Sequence, residues 1–356
     1  MNELERQLQY PLGEALPACG GTLEVAPGVH WVRMGLPFAL DHINLWLLRD
    51  RLDEREGWTL VDCGISNDAT RAAWEQVFAE QLQGLPVLRV IVTHMHPDHV
   101  GLAHWLCERW STPARACRLW MSASDYHVAL RAGSHHDGVG GSAAAAFMQG
   151  HGLDDLAALA RIRERGNHYA RMVPSLPGHY RRLLDGDQLR IGAFGWRCIV
   201  GHGHAPEHIS FYCAEAGVMV SGDMVLPRIS TNVSVTEGEP EADPLRRYLD
   251  SIERLRTLPA DTLVLPSHGR PFRGLHTRID QLQAHHHDRL ADVLHACAEA
   301  PQTAAALLQL LFRRPLDPHQ TGFAMGEAIA HLHLPWLDGR LRRAVDASGV
   351  HWFTAA

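Results

Sequence analysis

The feature that most constrains this chain is the run Thr93-His94-Met95-His96-Pro97-Asp98-His99. Three imidazoles and a carboxylate fall together there, at the end of the short apolar run over residues 87–92, the pattern of a strand buried on both faces. A polar loop leaving such a strand turns several of these side chains toward one point. An imidazole and carboxylate set suits zinc, iron or manganese rather than calcium or magnesium, which prefer all-oxygen shells. One short motif does not close a metal site, so the fold must bring later strand ends to this one. Three later segments fit that demand. Gly201-His202-Gly203-His204-Ala205-Pro206-Glu207-His208 follows an apolar run over 196–200, Ser221-Gly222-Asp223 follows 218–220, and Pro266-Ser267-His268-Gly269 follows 262–265. Each donor lies just past a β run and beside a glycine, where backbone approaches a crowded centre most easily.

Around these motifs the pattern predicts strands over 30–34, 43–48, 58–61, 87–92, 196–200, 209–213, 218–221, 262–265 and 349–353. Helical spacing predicts helices over 69–82, with Asn67 and Asp68 as caps, and over 98–110, 244–258, 279–298, 303–312 and 322–333. Residues 125–185 differ in character. Gly, Ala and His dominate 133–152, and helices are expected over 153–165 and 179–184, so the segment reads as a helical insertion that either covers a site or is a surface excursion. Three helices and a terminal β hairpin within about 90 residues suit a small winged-helix domain. The expected organisation is a catalytic domain over 1–275 and a winged-helix-like domain over 276–356.

Composition narrows the function. Of the 356 residues 25 are histidine and none is lysine, which excludes lysine Schiff-base chemistry and a P-loop. A net charge of −7 opposes a general affinity for nucleic acid, which rests on neutralising phosphates. Arg313-Arg314, Arg340 and Arg342-Arg343 remain candidate anion contacts, with solvated charge as the commoner role. No apolar run approaches the roughly 20 residues that span a bilayer, and residues 1–10 are too polar for a signal peptide, so a cytoplasmic location without membrane attachment is expected. The seven cysteines include no C-x-x-C pair and read as buried thiols in a reducing compartment. His285, His286 and His287 are about 100° apart on a helix, so at most one or two face a site; His135 and His136 are expected at the surface.

With these motifs in this order, the chain resembles the metallo-β-lactamase superfamily over residues 25–275, and within it the glyoxalase II-like hydrolases and the lactamase-β-like endoribonucleases. The resemblance implies an α/β fold, a four-layer αββα sandwich followed by a small helical, winged-helix-like domain. It implies that His94, His96 and His204 bind one metal, that Asp98, His99 and His268 bind a second, and that Asp223 bridges both. The family usually writes Gly-His-Thr-Pro-Gly-His where Ala205 and Glu207 stand here, and His202 is an extra histidine. His204-x-Pro206-x-His208 keeps the family spacing, which favours His204 as ligand and leaves His202 and His208 as orienting or structural residues. Val61-Asp62-Cys63-Gly64 matches the family's Val-Asp-x-Gly turn, with Asp62 expected to bond a ligand histidine. The segments Glu327-Ala328-Ile329-Ala330-His331-Leu332, Leu337-Asp338-Gly339-Arg340 and Gly349-Val350-His351-Trp352-Phe353 resemble the winged-helix tail of the endoribonuclease branch. Such a tail either touches nucleic acid or packs against the hydrolase and shapes its cleft.

The expected cofactors are two divalent ions, zinc first, with iron or manganese as alternatives. Two ions about 3.5–4 Å apart share a water, lower its pKa and deliver hydroxide to a carbonyl or phosphorus centre. Asp98 and Asp223 are the expected catalytic residues, Asp98 as both ligand and orienter of the nucleophile. The reaction class is hydrolysis, and the fold alone does not choose a substrate. A small ester or thioester is the first expectation, enclosed by the insertion and the apolar helix over 279–294. An endoribonuclease is the second, and a non-catalytic ligand sensor that keeps the metal centre is the third. A small-molecule substrate without nucleic acid or membrane is expected, and a homodimer is left open.

Overall fold

Period-two alternation in the strands decides the layering, because successive side chains point to opposite faces. In the computed structural model, which describes residues 2–133, 141–313 and 315–356, the first sheet comprises β1 (Thr22–Ala26), β2 (Val29–Gly35), β3 (His42–Leu52), β4 (Arg55–Val61), β5 (Val87–Ile91), β6 (Arg118–Met121) and β7 (Tyr180–Arg182), in that spatial order. β1 to β4 form an antiparallel meander, and β5, β6 and β7 continue it in parallel. The second sheet comprises β8 (Gln188–Ile191), β9 (Phe194–Gly201), β10 (His208–Cys213), β11 (Val218–Gly222) and β12 (Leu263–Pro266), again in sequential order, antiparallel except for the parallel pair β11 and β12.

The two sheets face each other across Trp31, Trp46, Val61 and Ile91 on one side and Trp196, Phe211, Val220 and Leu265 on the other. Neighbouring residues of β3, Ile43, Leu45 and Leu47, point the other way. They pack with Trp74 and Val77 of the helix Asp68–Glu80 and Leu106 of the helix Ala103–Trp110. On the far side of the second sheet, Met219 and Val264 share a cluster with Leu245 and Ile252 of the helix Pro244–Arg254 and Ile279 and Leu282 of the helix Leu275–Glu299. The result is the expected αββα order. Each large apolar side chain buried this way contributes about 1.5–3 kcal/mol.

The C-terminal region contains the end of the helix Leu275–Glu299, the helices Leu308–Phe312 and Pro318–Leu337, and a hairpin of β13 (Leu341–Val345) and β14 (His351–Ala355). Val293, Met325, Ile329, Leu332 and Phe353 belong to the same cluster as Met219 and Leu245. The tail is therefore fused to the outer layer of the second sheet. The insertion helices Gly141–Gly150 and Leu156–Glu164 add Ala145, Met148, Leu159 and Ile162 to that cluster. No helix among the described residues is long and apolar enough to cross a membrane.

Several local expectations are corrected. Residues 179–184 form no helix: β7 occupies 180–182 because its backbone pairs with β6, so sheet pairing overrides a weak helical pattern. The helix expected over 98–110 is two, Pro97–Val100 and Ala103–Trp110. Between them Leu102 N–H donates to the Gly64 carbonyl, and a Cβ on Gly101 would lie within 2.8 Å of the Gly64 oxygen. The helix over 303–312 shortens to Leu308–Phe312, while β1, β6 and β8 have no counterpart in the sequence pattern. Cys19 is exposed; the other six cysteines are buried, and all seven are free. Ile279, Leu282, Leu290 and Val293 lie in the core, so the apolar face of the helix over 279–294 is consumed by packing rather than left to enclose a substrate.

Candidate metal centre

Strand β5 delivers its last residues into a loop where Pro97 starts a short helix with His96 at its N-cap. Asp62, just past β4 at a left-handed φ of 64°, fixes that loop from below. Its carboxylate accepts the Thr93 N–H at 2.8 Å, the Thr93 hydroxyl at 2.9 Å and His99 Nδ1 at 2.8 Å. A non-glycine residue in this backbone region is costly, and these bonds hold it there. With Nδ1–H given to Asp62, His99 turns Nε2 inward. The other rings are aimed in the same way. His204 Nδ1 donates to the Asn232 carbonyl at 2.8 Å, and His268 Nδ1 to the His42 carbonyl at 2.7 Å.

Two donor groups result. His94, His96, His204 and Asp223 form one, and Asp98, His99 and His268 the other; within each, the ligand atoms lie within 4.8 Å of one another. In the first, His94 Nε2 stands 2.9 Å from His96 Nδ1 and 3.1 Å from His204 Nε2. In the second, Asp98 Oδ2 stands 3.5 Å from His268 Nε2 and 3.7 Å from His99 Nε2. Asp223 reaches both, with Oδ2 3.3 Å from His204 Nε2 and Oδ1 3.5 Å and 3.6 Å from His268 and His99. All seven residues singled out in the sequence thus converge.

The electrostatics fit a cation at the centre. Burial, reinforced by the surrounding imidazoles, holds His94 and His96 well below the ordinary histidine range, so their rings are neutral and their lone pairs free. His99 is pulled down by burial but held well above that range by Asp62, Asp98 and Asp223. Burial raises Asp223, and His268 and His99 outweigh it, keeping the carboxylate ionised. His99 Nε2 and Asp223 Oδ1 are buried without a hydrogen-bond partner, which costs about 1–3 kcal/mol for each such group. A nitrogen-rich set with carboxylates and inward lone pairs is a divalent-metal-binding cluster.

The neighbouring residues sort by contact. His202 turns away, its Nδ1 donating to the Pro206 carbonyl at 2.7 Å. His208 is buried and its Nε2 accepts the Asp223 N–H at 3.1 Å, so it orients the Asp223 backbone. Three further residues escaped sequence reasoning. Asp125 accepts Met95 N–H at 2.9 Å and Glu207 N–H at 2.7 Å, tying the two ligand loops together; burial pushes its carboxyl up to about 6 against those bonds. Asn44 donates its side-chain amide to the carbonyls of Pro266 and Gly269, bracketing His268. Tyr169 hydroxyl donates to the Met95 carbonyl at 2.6 Å, so the insertion supports the ligand loop. His286 is buried against His331 at 3.2 Å, away from the metal cluster, while His285 and His287 are exposed. His135, His136 and Arg314 lie outside the described residues. Arg313 pairs with Asp292, Arg340 with Asp338 and Arg343 with Glu241.

Two facing mixed sheets that present a histidine and aspartate cluster at their strand ends define a metal-dependent hydrolase. Residues 39–268 match the Metallo-beta-lactamase superfamily and residues 290–356 the Metallo-beta-lactamase-like, C-terminal domain. The chain belongs to the metallo-β-lactamase superfamily. It is 54% identical to a beta-lactamase domain protein from Burkholderia ambifaria, with 100% of both chains covered and a TM-score of 0.94. A metallo-beta-lactamase family protein from Thermus thermophilus is 28% identical, covering 94% of this chain and 100% of that one, with a TM-score of 0.74. Among curated proteins, the probable metallo-hydrolase YqjP of Bacillus subtilis (strain 168) is 25% identical across 85% of this chain and 90% of its own length. A hydroxyacylglutathione hydrolase of Cereibacter sphaeroides is 32% identical over a shorter stretch, 33% of this chain and 45% of that protein.

Proposed function

We propose that this chain hydrolyses a small ester or thioester with two divalent ions, zinc first among the candidates, held by His94, His96, His204 and Asp223 on one side and Asp98, His99, His268 and Asp223 on the other. The observation that carries the reading is the pair of donor groups joined through Asp223, with His99 Nε2 and Asp223 Oδ1 buried and lacking a partner. Ions there would supply Lewis acidity, polarising a carbonyl and acidifying water. Asp98 is the residue that orients the nucleophilic water: it remains partly exposed while the neighbouring His99 is fully buried, so its carboxylate faces the solvent side of the cluster. Asp62, His42 and Asn232 keep the rings aimed, and His208 holds the Asp223 backbone.

The thioester preference draws on the hydroxyacylglutathione hydrolase relative and on the pairing of Arg313, Arg340 and Arg343 with acids, which leaves less free positive charge for a polymeric phosphate. The test is a panel of thioesters, esters, lactones, a chromogenic β-lactam and single-stranded RNA, each assayed with zinc, manganese and iron. Turnover of an acyl substrate that is lost in Asp98→Ala supports the reading. RNA cleavage with the same dependence and no acyl turnover replaces it with the nuclease, and silence on every substrate despite two bound metals replaces it with a sensor.

A further inference from the structure

Besides His94, whose Nδ1 meets the neighbouring Thr93 hydroxyl, three ligand rings are fixed through Nδ1, and they do not take their partners from the same part of the chain. His99 is held by Asp62 and His268 by the His42 carbonyl, both in the first sheet or its loops. His204 instead leans on the carbonyl of Asn232, in the irregular segment between Asp223 and the helix Pro244–Arg254. That segment is gripped by the C-terminal helices. Val235 N–H donates to the Gly326 carbonyl at 3.1 Å, and the Ser234 hydroxyl lies 3.5 Å from the Phe323 carbonyl and 2.8 Å from Asn232 Oδ1. Burial pushes the Glu327 carboxyl up to about 7, and the Asn232 side chain draws it back down. Upstream, Arg278 donates to the carbonyls of Leu226 at 2.6 Å and Ile229 at 2.9 Å. The approach at Gly326 is close: a Cβ there would meet the Ser234 side chain at 2.7 Å and the Val235 oxygen at 3.1 Å. Val233 and Val235 are fully buried beside it.

We propose that the C-terminal domain is a clamp on residues 232–235, with Glu327 and Gly326 as its positioning residues, and that through this segment it sets the orientation of His204 and hence the affinity of one of the two metal positions. The inference rests on the ligand reading given above. It makes the tail part of the hydrolase rather than an appended module. The asymmetry is its signature, because His99 and His268 take their Nδ1 partners from Asp62 and the His42 carbonyl and not from this segment.

The test is stepwise binding of Co(II) and Zn(II) to the full-length metal-free protein, followed by calorimetry with chelator competition. The variants are Ser234→Ala, Glu327→Ala, Glu327→Gln and Gly326→Val, with His204→Ala and His268→Ala as references. Glu327→Ala and Gly326→Val are expected to weaken one step by about 10- to 100-fold, the range for residues that orient a ligand, leaving the other step unchanged. The weakened step is the one that His204→Ala abolishes. Glu327→Gln keeps an oxygen acceptor for the Asn232 amide and retains most of the affinity, and Ser234→Ala gives a milder loss in a variant that keeps the backbone contacts. Unchanged steps in Ser234→Ala and every Glu327 and Gly326 variant that folds, beside a lost step in His204→Ala, overturn the clamp, as does equal weakening of both steps. Two intact steps in His204→Ala overturn the ligand reading itself.

Discussion

Replacing His151 by leucine is expected to leave the protein at least as stable at neutral pH and to make it markedly less sensitive to acid. His151 follows the insertion helix Gly141–Gly150 and is 1% exposed. Its ring lies 4.6 Å from that of His351 and 6.1 Å from that of His333, and neither ring nitrogen has a hydrogen-bond partner. Burial, with His351, His333 and Arg343 adding to it, pulls its pKa down to about 3. An unfolded chain binds this proton near pH 6.5 and the folded one only near 3, so acid favours the unfolded state between those values. At 1.36 kcal/mol per pH unit, the loss from this residue is about 2 kcal/mol at pH 5 and roughly 4 kcal/mol near pH 3. At pH 7.5 the neutral ring still buries an N–H without an acceptor, a cost of about 1–3 kcal/mol that leucine removes. Urea unfolding of the metal-free proteins at pH 7.5, 6 and 5 measures the difference between His151→Leu and the parent, in which the shared histidines cancel. The lead of the variant should grow by about 2 kcal/mol from pH 7.5 to 5. A constant difference across that range refutes the reasoning.

Three other outcomes are expected. Asp98→Ala should lower turnover of an acyl substrate by at least about 100-fold with unchanged circular dichroism, since Asp98 lies outside the core clusters; near-normal rates would show the nucleophile to be oriented by another group. His204→Ala should cost much more metal affinity than His202→Ala, because the His202 ring is turned to the Pro206 carbonyl, and equal losses in a competition titration would count against this register of the turn. Asp62→Ala frees both Thr93 and His99, so chelator competition and melting should reveal weaker metal binding by about 10- to 100-fold together with a lower melting temperature; a stable variant with full affinity would contradict the supporting role of Asp62.

What the sequence made legible was what side chains and periodicity encode. The apolar run over 87–92 ends where β5 ends, and the donors that follow β5, β9, β11 and β12 meet because those strands finish at one edge of the sandwich. Short or irregular pieces were not legible. β6 and β7 have four and three residues, too few for a period to register, and their identity comes from parallel pairing with neighbours. The break at Gly101 comes from the Gly64 backbone, far away in the chain. The carbonyls of Asn232 and His42 that aim two ligands belong to the main chain and leave no mark in residue type. Asp125 sits among Ser122, Ala123 and Ser124, where one acid among small residues looks like an ordinary helix start, yet its carboxylate joins the loop at Met95 to the loop at Glu207, the latter 82 residues beyond it.

The tail illustrates how a resemblance and a structure divide the work. Its motifs point equally to a nucleic-acid contact and to packing on the hydrolase, and the two make different demands on the same residues. Phosphate recognition needs cations left free to displace counterions, whereas packing needs an apolar face and a neutralised surface. Arg313, Arg340 and Arg343 are each within 4 Å of an acid, and Arg343 also lies over the Trp336 ring at 3.8 Å. Met325, Ile329, Leu332 and Phe353 complete a core that begins at Met219 on the second sheet. The same helix that supplies Met325 and Ile329 carries Gly326 and Glu327 to the segment behind His204. The apolar face that fuses the tail to the sheet therefore sets the position of the polar face that meets the metal-binding loop, so a mutation that loosens this core is expected to reach the metal centre through Asn232.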